Sequence, residues 1–130
     1  MHVIGNYGKQ LIDLPPSLYM LLMPLYMLAG LMVLIHVFGS YLGFRGLAVP
    51  RRIGVIISIY ESLFYFIMLL VLYGSPITAL LIAFALIHWA GAYAYIKGYL
   101  GKHSSRTRLR MYGLYEAVEL SFILIILLYL

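Results

Sequence analysis

The chain contains no cysteine, which excludes disulfides, thiolate metal sites and cysteine-held iron–sulfur clusters. Charge is scarce as well. Charged residues make up 10% of the 130 positions and hydrophobic ones 65%, far from the balance of a water-soluble domain. A soluble helical bundle of this length would carry a polar stripe along each helix, and the long apolar runs have none. Also missing are a glycine-rich phosphate loop, a nucleophile elbow and a His-Glu zinc motif of the HExxH kind.

What is present is apolar sequence in four runs, near 16–44, 53–73, 77–96 and 111–130. Each approaches the roughly 20 residues that cross a bilayer as helix. The expected fold is an all-α integral membrane protein with four transmembrane helices in an up-down-up-down bundle. Residues 1–16 are expected to form an extracytoplasmic segment, and the first span does not read as a signal peptide, because its N-terminal flank holds Lys9 and Asp13 and no small-residue cleavage pattern follows. The first span starts either near Ser17, with Pro24 as a kink, or at Pro24, with residues 18–23 at the interface. Ser75 and Pro76 are the expected cap and first residue of the third span.

Eight of the nine basic residues, Arg45, Arg51, Arg52, Lys97, Lys102, Arg106, Arg108 and Arg110, fall in two connections, while the 73–76 connection is uncharged. By the positive-inside rule, residues 45–52 and 97–110 are cytoplasmic and both termini lie outside, with the plasma membrane the expected location. The net charge of +5 is then topology and lipid-headgroup attraction. The expected partner is the bilayer, not nucleic acid.

A thirteen-residue phrase occurs twice. "LIHVFGSYLGFRG" begins at Leu34 and "LIHWAGAYAYIKG" at Leu86, with six identical positions. His36, Gly39, Tyr41, Arg45 and Gly46 match His88, Gly91, Tyr93, Lys97 and Gly98 at an offset of 52 residues, as Pro24 matches Pro76. Beyond the basic loop the match resumes at an offset of 55, pairing Glu61 with Glu116. Two tandem helix hairpins, 17–74 and 75–130, each hold a His helix, a basic loop and a Glu helix. The implied pseudo-twofold axis runs along the membrane normal.

Depth decides what the repeat is for. His36 and His88 each lie nine residues before a basic residue, which puts both about 13 Å inside the boundary. Glu61 and Glu116 reach a similar depth from the other side of each loop. Ionisable groups are costly in hydrocarbon, about 2.5–3.5 kcal/mol on insertion scales, so these four should face inward and satisfy one another. Gly39, Ser40, Gly91 and Ala92 follow the histidines by three or four positions, and Ser58 and Gly113 precede the glutamates by three. They either line a cavity beside the layer or serve close helix packing. Glu119, one turn from Glu116, breaks the repeat, its counterpart being Phe64. It is a candidate proton-holding group. His2 and His103 fall outside the layer and are expected in solvent.

Three function classes fit. Paired imidazoles could ligate a b-type haem, or could join the carboxylates around a divalent metal. At the level of architecture the duplicated four-helix form with opposed histidines resembles membrane cytochromes of the b type. A proton-coupled small transporter or ion channel is the second class. A structural subunit without ligand, with the His/Glu layer as internal glue, is the third. A homo-oligomer or a larger membrane complex is the expected assembly. The candidate cofactor-binding or metal residues are His36, His88, Glu61 and Glu116.

Overall fold

The computed structural model describes residues 16–99 and 105–130, so Lys9, Asp13, Lys102, His2 and His103 lie outside the described residues. The fold is all-helical: α1 (Pro16–Arg45), α2 (Arg51–Val71), α3 (Thr78–Lys97) and α4 (Arg106–Tyr129). All four helices are long and apolar enough to cross a membrane. The chain is an integral membrane protein.

Local chemistry sets the helix ends. α1 runs unbroken through Pro24, so residues 18–23 continue the helix. A proline costs a backbone hydrogen bond, which membrane helices tolerate when neighbouring groups compensate. α2 starts directly after Pro50. The Ser105 hydroxyl accepts the Arg108 backbone N–H at 3.3 Å, and this cap lets α4 begin five residues before the apolar run that marks it in the sequence. The expected Ser75–Pro76 start of the third span is corrected. Residues 72–77 form turns instead, and the Thr78 hydroxyl donates to the Ser75 carbonyl at 2.8 Å, so α3 begins two residues later.

The ends of α1 and α3 are alike. Gly46 (φ 69°) and Gly98 (φ 77°) adopt the left-handed conformation, which a residue with a side chain rarely takes. The Leu47 N–H reaches back to the Leu42 carbonyl, and the Tyr99 N–H to that of Ala94. Each glycine also lies against the first arginine of a Glu helix. A methyl group on Gly46 would meet the Arg106 side chain, and one on Gly98 would meet Arg51.

α1 packs chiefly along α4, and α2 along α3, whereas α1 and α2 meet more sparsely. Close approach in the first pair needs two glycines, since a methyl on Gly43 would collide with the Gly113 backbone. In the second pair Gly54 admits the Tyr95 ring. The apolar core sits at the end of the bundle nearer the 72–77 turn, where Leu25, Ala29 and Met32 meet Phe64, Met68, Leu81, Phe122 and Ile126. The His/Glu layer borders it.

Candidate metal centre

Helix periodicity brings the polar layer inward. His36 and His88 are buried on α1 and α3, Glu61 on α2, and Glu116 and Glu119 three residues apart on one face of α4. Each histidine is held by its own helix. Nδ1 of His36 donates to the Met32 carbonyl at 2.9 Å, and Nδ1 of His88 to that of Phe84 at 2.8 Å. A carbonyl oxygen only accepts, so both Nδ1 atoms carry the proton. In a neutral imidazole each Nε2 then presents a lone pair.

The two Nε2 atoms converge on a single carboxylate oxygen. Oε1 of Glu119 lies 3.2 Å from Nε2 of His36 and 3.0 Å from Nε2 of His88. The Tyr65 hydroxyl donates to the same oxygen at 2.6 Å, and the Tyr65 ring stacks on His88 at 4.7 Å. Around this core stand Glu61, 4.0 Å from His36 and 3.7 Å from His88, and Glu116, 3.8 Å from His36. All five candidates therefore come together. Glu119, set apart in the sequence as a proton-holding group, lies closer to both imidazoles than either Glu61 or Glu116. Tyr65 was missed altogether. It stands one residue after the position equivalent to Glu119, so the repeat gave no signal for it.

Two acceptors do not face each other across 3 Å in a buried site without a positive charge between them. Nε2 of His36 and Oε2 of Glu119 are buried without a hydrogen-bond partner, in side chains that are 0% exposed. Such orphaned groups are costly, and either a bound cation or added protons would satisfy them. His36, His88 and Glu119 offer ligand atoms that all lie within 4.8 Å of one another, so the group can hold a metal ion. A tetrahedral ion with bonds of about 2.0–2.2 Å separates its ligands by roughly 3.3 Å, close to the observed 3.0 and 3.2 Å. Haem fits less well, because Glu119 occupies the space between the two imidazoles where the iron would stand.

The small residues divide. Gly39 makes room for the Glu116 carboxylate, which a methyl group there would strike. Gly39 also lines two cavities, and Ser58 and Gly91 line a third. Gly113 serves the contact with α1, and Ser40 and Ala92 are buried.

No protein-family model, curated protein or solved structure matches the chain. Function must be argued from the geometry.

Proposed function

We propose that this protein is a membrane-embedded metal-binding module that holds a divalent transition metal between His36, His88 and Glu119. Glu61 and Glu116 supply further ligands or charge balance. The observation that carries the reading is the convergence of two Nε2 atoms, each on a ring whose Nδ1 donates to its own helix, on one buried carboxylate oxygen. Metal-bound histidines commonly donate their other ring N–H to a carbonyl or carboxylate, as both do here. The ligand set is imidazole and carboxylate without sulfur, which suits Zn²⁺, Fe²⁺, Mn²⁺ or Co²⁺ better than Cu⁺. Two imidazoles with one carboxylate also leave coordination positions open for redox chemistry on Fe²⁺.

The test is a Co²⁺ titration of the detergent-purified protein, followed by visible absorption. Saturable binding of one or two ions, displaced by Zn²⁺, supports the reading. Absence of binding by the unmutated chain at millimolar Co²⁺ would sink it and leave the polar layer as hydrogen-bonded glue.

The transport reading draws on a separate observation, the clefts that reach Glu61 and Glu116. Metal-dependent ion or proton flux into liposomes would favour it over a resident cofactor.

The up-down-up-down topology and the tandem repeat belong to the same proposal. Paired contacts at offsets of 52 and 55 support them: Met32 with His36 against Phe84 with His88, and Gly46 with Arg106 against Gly98 with Arg51. The His helix of each copy packs on the Glu helix of the other. Both termini are outside and the basic connections cytoplasmic in this reading. A cysteine introduced at Ser75 should react with an impermeant reagent added outside, and one at Ser104 should not. The reverse pattern would invert the topology.

A further inference from the structure

The cleft between α1 and α2 has a volume of about 470 Å³, inside the range of roughly 300–1,000 Å³ usual for small-molecule sites. It exists because these two helices meet only sparsely. Leu34, Phe38 and Ile57 are among the apolar residues that wall it, the buried Glu61 and Glu116 stand at its inner end, and the more exposed Tyr112 also lines it. Basic side chains are absent from its lining. Glu61 and Glu116 are buried, at 6% and 2% exposure, and line the cleft at the depth of the histidines.

An acyl chain of a bilayer lipid would suit the apolar walls but not this end. A phospholipid keeps its headgroup at the interface, so only its tail could reach two carboxylates near the membrane middle. Ionised Glu61 and Glu116 would repel an anionic head, and an ester or ketone would find the Tyr112 hydroxyl as its only side-chain donor in the lining while bringing its own acceptors against two carboxylates. A primary ammonium brings three donors and a positive charge, and pairing with carboxylate offsets the cost of taking that charge into a dry site.

We propose that the cleft between α1 and α2 binds an amphiphilic amine from the bilayer, its hydrocarbon body along Leu34, Phe38 and Ile57 and its ammonium head between Glu61 and Glu116. The site is distinct from the three-ligand core of His36, His88 and Glu119, beside which Glu61 and Glu116 stand.

Dodecylamine is the probe, with dodecanol and dodecyl sulfate as comparators of equal chain length. Binding to the full-length protein in non-ionic detergent micelles is followed by equilibrium dialysis and native mass spectrometry. One saturable amine per chain is expected, with at least 10-fold weaker competition by either comparator. Leu34→Trp and Ile57→Trp fill the cleft without touching the metal ligands and should weaken amine binding at least 10-fold while Co²⁺ titrates as in the unmutated protein. Glu61→Gln should weaken the amine and leave dodecanol unaffected. Equal competition by dodecanol would overturn the proposal, as would tryptophan variants that keep both amine and Co²⁺ binding. If the unmutated chain binds the amine but no Co²⁺, the metal reading falls and the cleft proposal stands. If it binds Co²⁺ but no amine, the reverse holds.

Discussion

The two ends of the bundle solve the packing problem differently. Toward the 72–77 turn, large side chains interlock: Tyr65, Phe84 and Phe122 stack in register, with Phe84 and Phe122 4.7 Å apart, and Met32, Met68, Leu81 and Ile126 are fully buried around them. Toward the basic connections the helices touch through glycines, at Gly43 against Gly113 and Gly54 against Tyr95. The cavities lined by Gly39, Ser58 and Gly91 have walls that reach this end. Lipid tails are as apolar as leucine, so burial of apolar surface does little to drive helices together in a bilayer, and close packing and hydrogen bonds do most of it. An interlocked end therefore supplies stability, while the glycine end combines point contacts with open space. The His/Glu layer stands where one gives way to the other.

The comparison breaks most sharply at the layer. His36→Ala and His88→Ala should each weaken Co²⁺ binding by more than the roughly 10–100-fold typical of losing an outer partner, and by similar amounts, because each imidazole brings its Nε2 to about 3 Å from the same Glu119 oxygen. Glu119→Gln should do the same. A Co²⁺ titration that shows Glu119→Gln unchanged would move the centre to Glu61 and Glu116. Next in size is Tyr65→Phe. It removes only the hydroxyl that donates to Glu119 and should weaken Co²⁺ by about 10–100-fold while thermal unfolding in detergent shifts little.

Packing substitutions sharpen the other side. Gly43→Ala drives a methyl into the Gly113 backbone and should cost about 1–3 kcal/mol, as overpacking does, read from the unfolding midpoint. Met68→Ala at the interlocked end should lower stability by less than the about 2–5 kcal/mol seen in water-soluble cores, because the transfer contribution is small in lipid, and should leave Co²⁺ affinity intact. The smallest effect belongs to Gly91→Ala. Nothing lies within 4 Å of the added methyl, so stability should change by less than about 0.5 kcal/mol.

Much of this was legible in the sequence, for physical reasons. A bilayer imposes length and apolarity on each span, so four runs gave four helices, and charge scarcity made every intramembrane His and Glu conspicuous. Similar distances from basic residues put His36, His88, Glu61 and Glu116 at similar expected depths, and the structure brings them together. Less could be read where symmetry fails. Glu119 and Tyr65 fall one position out of register with each other in the repeat, so an alignment of the two halves pairs them with Phe64 and Leu120. Their 2.6 Å hydrogen bond depends on helix rotation, which hydrophobicity does not encode when the helix is apolar all round. Gly39 and Gly113 illustrate the same limit. Both are small residues near a polar group, yet one houses a carboxylate and the other houses a backbone.

The pairing of α1 with α4 has a consequence for how the protein comes into being. During synthesis α1 enters the bilayer when its main packing partner has not yet been made, and chains grow at about 5–20 residues per second. Until α4 is inserted, His36 has neither Glu116 nor Glu119 beside it, and the imidazole's Nε2 must take whatever water or the insertion machinery offers. The His/Glu layer is thus complete only once α4 is in place. A chain cut before Arg106 would lack two of the three carboxylates of the layer, Glu116 and Glu119, and would expose the α1 glycine face to any helix that passes.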